Sequence, residues 1–407
     1  MRTQNCDLPQ ATSHLPLILV LNSGSSSLKF ALIQPDSGEI VFSGLADRLT
    51  TAEALLQVKS AGGTRKTAPI PFATHAASLD TIFRSLKDFQ IAAVGHRVVH
   101  GGEKFRESVV IDDAAEAAIA TCMTIAPLHA PPNLVAIRAA RKKFPQLTHV
   151  AVFDTAFHQS LPPYAYTYAV PYEWYEQHKV RKYGFHGTSH RYVAQEAARR
   201  LASAPENLQL LTAHLGNGAS VCAVRNGKSV DTSMGFTPLE GLVMGTRSGD
   251  MDPNVFLFLH QQAGLSLMEV TEILNKKSGL LGLSGVSNDM RTLLVEKAKG
   301  HPRASLAVEV FCYRLAKHLL GTAAALDHID AIVFTGGIGE NSWPVRQRTL
   351  EHLRIFHATI DHELNRSHGA GAAGRITTSD SQLLALVVPT NEELLIARET
   401  TRLMKPC

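Results

Sequence analysis

Along residues 17–44, LILVLNSGSSSLKFALIQPDSGEIVFSG, apolar runs alternate with clusters of small polar residues. The pattern predicts a strand, a turn through the serines, a second strand, a turn at PDSG and a third strand. Residues 208–235, LQLLTAHLGNGASVCAVRNGKSVDTSMG, repeat that order, with a glycine-rich turn ending in Ser220 and a tighter RNG turn. A third stretch, IDAIVFTGGIGENS at 329–342, runs from an apolar strand into Gly336, Gly337 and Gly339, with a helix to follow. Each turn taken singly is explained by turn chemistry, because hairpins favour Gly, Asn and Ser. Together, two similar hairpins and a GG turn describe a duplicated fold that closes on a nucleotide. Small residues there let backbone N–H groups approach phosphate oxygens.

The 407 residues exceed what one hydrophobic core usually serves, so at least two domains are expected. Forty basic and thirty-six acidic residues leave a charge of +4, too small an excess to indicate nucleic acid. Five cysteines lie apart with no CxxC pair, which offers neither a zinc site nor a disulfide framework and suits a reduced, cytoplasmic setting. The segment Ala304 to Leu326 carries Glu309, Arg314 and Lys317 and reads as a buried amphipathic helix, not a membrane span. The polar start, residues 1–16, reads as a flexible extension.

Familiar phosphate and metal motifs fail on inspection. RNGKS ends like a P-loop, but Cys222 stands where its first glycine belongs. GNGASV and GGIGENS lack the last glycine of GxGxxG. DMDPN resembles the start of a calcium loop, yet Val255 and Gln261 replace its glycine and glutamate. Asp252-Pro253 reads better as a helix N-cap followed by proline at the first helical position.

With these segments in hand, the chain resembles the acetate kinase family, within the acetate and sugar kinase, heat-shock-70 and actin superfamily. The motifs that carry the resemblance are VLNSGSSSLKF, GHRVVHGGE, VFDTAFH, YGFHGTSH, LLTAHLGNGASVCAVRNG, MGTRSGDMDP, FTGGIGENS and TNEE, in that order over about residues 17 to 400. The resemblance implies an α/β fold of two related actin-like (ribonuclease-H-like) domains with mixed central sheets flanked by helices. The active site would lie in the cleft between them. Residues 17–156 with 394–407 would form one domain and 157–393 the nucleotide-binding other.

The family reaction moves the γ-phosphoryl of ATP to the oxygen of acetate, reversibly, giving acetyl phosphate and ADP. An anion must approach an anion, so cations and positioning should dominate. By resemblance Arg97 binds the substrate carboxylate, Arg247 and His186 stabilise the transferring group, and Asn22 and Glu392 hold Mg²⁺ (or Mn²⁺) with its water shell. Glu393 is the competing choice beside Glu392. Asp154 would orient Arg97 or a metal-bound water, since acetate is already ionised at neutral pH and needs no base. Lys29 would point to the phosphates or brace its hairpin.

The resemblance assigns ATP to His214, Leu215, Gly216, Asn217 and Gly218, to Asp289, Met290 and Arg291, and to Gly337, Ile338, Gly339, Glu340 and Asn341. Val99, Leu128, Phe185 and Pro238 would face the methyl group of acetate, where one methylene is worth only about 1–3 kcal/mol. These four could equally be plain core. In APLHAPPN, Ala130 stands where many relatives carry Asn after the histidine His129. His186 and His190 have a metal-like spacing, but no third ligand stands near and Gly187 speaks against an unbroken helix, so zinc is not expected. The resemblance implies a homodimer, and the tyrosines around Trp174 in PPYAYTYAVPYEWYEQH would border its contact, with ordinary packing over a proline-rich loop as the alternative. No nucleic-acid or membrane partner is implied. The rivals are a propionate or butyrate kinase, then a sugar or glycerol kinase, then an ATP-dependent clamp or actin-like filament former. A filament former has no use for Arg97, Arg247 and His186 together.

Overall fold

The computed structural model describes residues 16–122 and 130–404. The first sheet contains β1 (Leu17–Ser23), β2 (Leu28–Ile33), β3 (Ile40–Asp47), β4 (Leu55–Ser60), β5 (Arg65–Pro69), β6 (Ile91–Val98), β7 (Val109–Val110) and β8 (Thr148–Phe153). The second contains β9 (Gln209–Leu215), β10 (Ala219–Arg225), β11 (Lys228–Thr232), β12 (Ala331–Thr335) and β13 (Ala385–Val387). Their orders are β5-β4-β3-β2-β1-β6-β8-β7 and β11-β10-β9-β12-β13.

The duplication expected from the hairpins is visible strand by strand. In β3-β2-β1-β6-β8 the pairings run antiparallel, antiparallel, parallel, parallel. In β11-β10-β9-β12-β13 they run the same way. The extra hairpin β4–β5 extends the first sheet alone, and its alternation of Lys, Gln and Thr with apolar residues was not singled out in the sequence.

Both sheets are covered on two faces, which is why their central strands read as nearly continuous apolar runs. In the second sheet the side chains sort with period two: Leu211, Ala213, Ile332 and Phe334 pack with the helix Pro302–Ala323, whereas Leu210, Ala331 and Val333 pack with the helix Gly187–Arg200. The first sheet has helices Ala130–Lys143 and His75–Ser85 on one side. On the other lies the helix Glu392–Leu403, whose Leu394, Ile396 and Ala397 join Ile18, Val20, Ala93 and Val152. That helix rests directly on β6: a Cβ at Gly95 would stand 2.5 Å from Thr400 Oγ1 and 2.7 Å from Ile396 Cγ2. The chain therefore returns from the second sheet to the first, and does so through the segment that begins with Glu392.

The helix expected from Asp252-Pro253 begins one residue later, at Asn254, with Pro253 as its cap. Proline carries helical dihedrals but has no N–H to bond, and Asp252 Oδ1 instead accepts from the Asn254 N–H at 2.8 Å. As expected, no unbroken helix carries both His186 and His190: the helix opens at Gly187, capped by His186 in the left-handed region at φ 56°, and the His190 N–H donates to the His186 carbonyl at 2.9 Å.

Candidate active site

The carboxyl ends of the parallel strands β1, β6 and β8 gather a charged cluster. Asn22 stands near the end of β1, Arg97 near the end of β6, and Asp154 directly after β8. Arg97 donates through Nε and Nη2 to Asp154 at 3.0 and 2.5 Å, and through Nη1 to Asn22 Oδ1 at 3.0 Å. Glu392 Oε2 lies 3.8 Å from Arg97 Nε, while Lys29 makes an ion pair with Glu393. Burial works against the charge of Arg97, but Asp154 and Glu392 more than offset it and raise its pKa. Burial, opposed by Arg97 and reinforced by Asp154 and Glu393, pushes Glu392 up to about 7. Three carboxyl groups thus face two cations, Arg97 and Lys29, and with Glu392 ionised the cluster is one negative charge in excess. That surplus suits a divalent cation that keeps most of its water. Among the described residues no group of three or more His, Cys, Asp or Glu is placed to hold a metal by itself.

Behind this cluster, Asn133 ties two strand ends together. Its Oδ1 accepts from the Val99 N–H at 3.1 Å and its Nδ2 donates to the Ser23 carbonyl at 2.6 Å. Val99 packs against the core of the second sheet, in the same cluster as Phe185. Pro238 offers its carbonyl to Arg247 Nη1 at 3.5 Å. Leu128 and His129 lie outside the described residues.

The second sheet's end is built from neutral groups. His214, near the end of β9, has its ring centroid 4.3 Å from that of His186. His214 Nδ1 bonds Ser189 Oγ at 2.8 Å, and Ser189 in turn meets Thr390 Oγ1 at 2.8 Å, close to the Glu392 loop. Burial, with Arg97 nearby, pulls His214 down to about 4. Burial also holds His186 well below its usual value, aided by His214, His190, Arg97 and Arg247. Between β9 and β10 the turn closes with the Gly216 N–H on the Gly218 carbonyl at 2.9 Å. A Cβ at Gly218 would stand 3.2 Å from His186 Nε2 and 3.4 Å from Arg247 Nη1. The glycine turn, the imidazole and the second arginine therefore converge on one point. Arg247 has no carboxylate partner among the described residues; its Nη1 donates to the Pro238 carbonyl and lies 3.8 Å from Met244 Sδ.

Next to this turn opens a cavity of about 660 Å³, lined by Gly216, Asn217, Asp289, Met290, Arg291, Gly337, Ile338 and Asn341 from the sequence reading. The reading missed Trp343, Pro344, Asn288 and Leu294, which line it too. Trp343 follows directly on GENS, and an aromatic so close to a glycine turn was a usable signal. Leu215 and Gly339 are buried behind the wall. Glu340 faces away: its Oε1 accepts from the Gly336 and Thr390 N–H groups at 2.9 and 3.1 Å, fastening the GG turn to the Glu392 loop. Asp289 caps its own helix and pairs with Arg291 at 2.5 Å on the rim.

A further residue gave no signal at all. Arg346 is fully buried, and among the described residues no carboxylate pairs with it. It donates to the carbonyls of Gly339 and Glu340 at 2.8 and 3.0 Å, to Asn365 Oδ1 and its carbonyl at 2.9 and 2.6 Å, and to His368 Nδ1 at 3.0 Å. A cation at the carbonyl end of the 336–341 helix is favoured by the helix dipole and fixes the wall of the cavity.

The Acetokinase family model matches residues 17–398. An acetate kinase of Deinococcus radiodurans is 54% identical over 386 residues, covering 94% of this chain and 96% of the relative. Acetate kinase 1 of Neisseria meningitidis is 52% identical over 391 residues, covering 95% and 98%. Among solved structures, a propionate kinase from Francisella tularensis superposes with a TM-score of 0.91 at 43% identity, covering 96% of this chain and 100% of that one. The acetate kinase of Porphyromonas gingivalis gives 0.88 at 40%, covering 95% and 99%. Matched over almost its whole length by the family model and by relatives above half identity, this chain belongs to the acetokinase family.

Proposed function

We propose that this protein transfers the γ-phosphoryl group of ATP to acetate, reversibly and by direct in-line transfer, giving acetyl phosphate and ADP. The observation that carries the reading is Arg247, a guanidinium without a carboxylate, meeting His186 at the glycine turn between the nucleotide cavity and the paired Arg97. A cation left uncompensated in a site with little water is held ready for an anion that arrives.

The nucleoside takes the cavity beside Trp343 and Ile338, and its phosphates run along Gly216–Gly218 towards Arg247. Arg97 has its Nε and one hydrogen on each terminal nitrogen committed to Asp154 and Asn22. The remaining hydrogens on Nη1 and Nη2 grip the acetate carboxylate as a fork. Asp154 positions that fork and takes no proton. Asn22 and Glu392 would hold Mg²⁺, which supplies charge neutralisation on the phosphates when bound. Arg247 and His186 then face the three oxygens of the phosphoryl group in transit. Val99, Phe185 and Pro238 bound the methyl group. Closure of the two sheets on each other, with 17–156 and 394–407 moving against 157–393, excludes water as a competing acceptor. The exposed Tyr164, Tyr172 and Trp174 belong to the border of a homodimer contact, and the cytoplasm is the compartment.

A second reading, propionate as acceptor, is favoured by the likeness to the Francisella structure. One assay separates them: ADP formation from MgATP with acetate, propionate, butyrate, glycerol or no acceptor, with hydroxylamine to trap acyl phosphate. The expected result is acetate-dependent ADP with matching hydroxamate and weaker propionate turnover. ADP produced equally without an acceptor would overturn the reading.

A further inference from the structure

We propose that Ser220, His190 and Thr212 form a buried hydrogen-bond chain that holds His186 as the neutral tautomer with its proton on Nε2, directed at the phosphoryl group. This rests on the functional reading above and assigns positioning roles to three residues outside the substrate's reach.

Thr212 and His214 stand on one face of β9, opposite Cys222 and Ser220 of β10, and that face meets the helix 187–200. The register therefore places two hydroxyls under the first turn of the helix, where His186 and His190 lie four residues apart. Thr212 Oγ1 is 2.7 Å from His190 Nδ1, His190 Nε2 is 2.8 Å from Ser220 Oγ, and Ser220 Oγ is 2.8 Å from His186 Nδ1. Thr212, His190 and Ser220 are all fully buried.

Each hydroxyl has one hydrogen, and so does each neutral imidazole, so the protons along the chain must point in a common direction. Thr212 has two acceptors to choose from: His190 Nδ1 at 2.7 Å and the Cys222 carbonyl at 3.3 Å. Either direction keeps the 2.7 Å bond, so the choice is made at the far end of the chain, where His186 Nε2 faces the glycine turn. With the threonine proton on His190, the His190 Nε2–H donates to Ser220 and Ser220 donates to His186 Nδ1. The one proton of His186 is then on Nε2. The opposite direction would leave a lone pair at Nε2, aimed at incoming phosphate oxygens beside Gly218.

The surroundings also keep the ring neutral. His214 stacks against His186, Arg97 and Arg247 face it, and His158 lies beyond His190 with ring centroids 5.8 Å apart. Asp154 comes close through its backbone, its carbonyl accepting from the Gly187 N–H at 2.9 Å. An imidazolium would meet two guanidinium groups here, whereas a neutral N–H donor does not. The catalytic contribution is a hydrogen bond that needs no proton from solvent.

Nitrogen NMR of the full chain labelled in histidine reads the tautomer directly, with His186 assigned from the spectrum of His186→Gln. The expected signals are a lone-pair nitrogen at Nδ1 and a protonated Nε2, unchanged between pH 6.5 and 8.5. A protonated Nδ1, or an imidazolium across that range, would overturn the proposal. In Ser220→Ala the chain is cut, and kcat should drop by about tenfold with KM for ATP nearly unmoved. Ser220→Thr, which keeps the hydroxyl, should recover most of it. An alanine variant with unchanged kcat and an unchanged His186 spectrum would also sink the chain. Absence of acetate-dependent turnover in the unaltered protein would count against the function, and the spectrum would still decide the tautomer.

Discussion

The two sheets present the same five-strand order to the cleft, yet their ends solve opposite electrostatic problems. At the first, Arg97 is bonded to Asp154 and Asn22 and faced by Glu392, and Lys29 is paired with Glu393. At the second, Arg247 stands without a carboxylate among neutral histidines and hydroxyls. The duplicated backbone provides matching ledges, and the side chains make one a rigid, slightly negative clamp and the other a neutral wall with a single unmet cation. In the function proposed above, the phosphoryl group leaves the second ledge and arrives at the first.

Removing each arginine should separate these roles. In Arg247→Ala kcat should drop by about a hundred- to a thousandfold, with the melting temperature unchanged or raised, because an uncompensated cation has gone. In Arg97→Leu two carboxylates lose their partner, and folding stability should drop by about 2–3 kcal/mol, allowing for partial exposure of the pair. Steady-state kinetics and thermal unfolding on both variants test the contrast. Equal destabilisation by the two would erase it.

Acid should strike the neutral side. Burial holds His158 and His214 at about 4, and His190 well below its usual value. Between pH 6.5 and 4 the unfolded chain takes up protons that the folded chain refuses. Stability is therefore full above about 6.5 and lost as pH falls towards 4, by about 1.4 kcal/mol per pH unit for each such histidine. Unfolding temperatures at pH 7.5, 6 and 5 should descend accordingly, and a flat profile would contradict the neutral state of these rings. The smallest effect concerns the acyl wall. Val99→Ala should raise kcat/KM for propionate relative to acetate by the worth of about one methylene, roughly 1 kcal/mol. No change in that ratio would leave Val99 as core.

Much of this was legible beforehand because turns and strand periodicity are local. NSGSSS and GNG fell where the structure turns, GG lies at the start of the helix 336–341 instead of in a turn before it, and the order of the hairpins indicated the duplication. The cavity residues that lie in those segments, such as Asn217 and Gly337, could be named for the same reason. Leu215 and Glu340 sit in the same motifs, yet one side chain is buried behind the wall and the other bonds the Gly336 and Thr390 N–H groups. A motif names a segment, and the direction of each side chain depends on what packs behind it.

Sequence alone determined the two repeated hairpins and the strand before Gly336, the small-residue turns within those hairpins, the two arginines in polar settings and the family. Those follow from near-neighbour sterics and from residues fixed in short motifs. Only the tertiary structure decided that Asp154 clamps Arg97 while Arg247 meets no carboxylate among the described residues, that Arg346 is buried against the carbonyls of Gly339 and Glu340, and that Ser220 lies between two histidines. Each of these joins groups distant along the chain, and charge and hydrogen bonding act through space, on distances that no local pattern encodes.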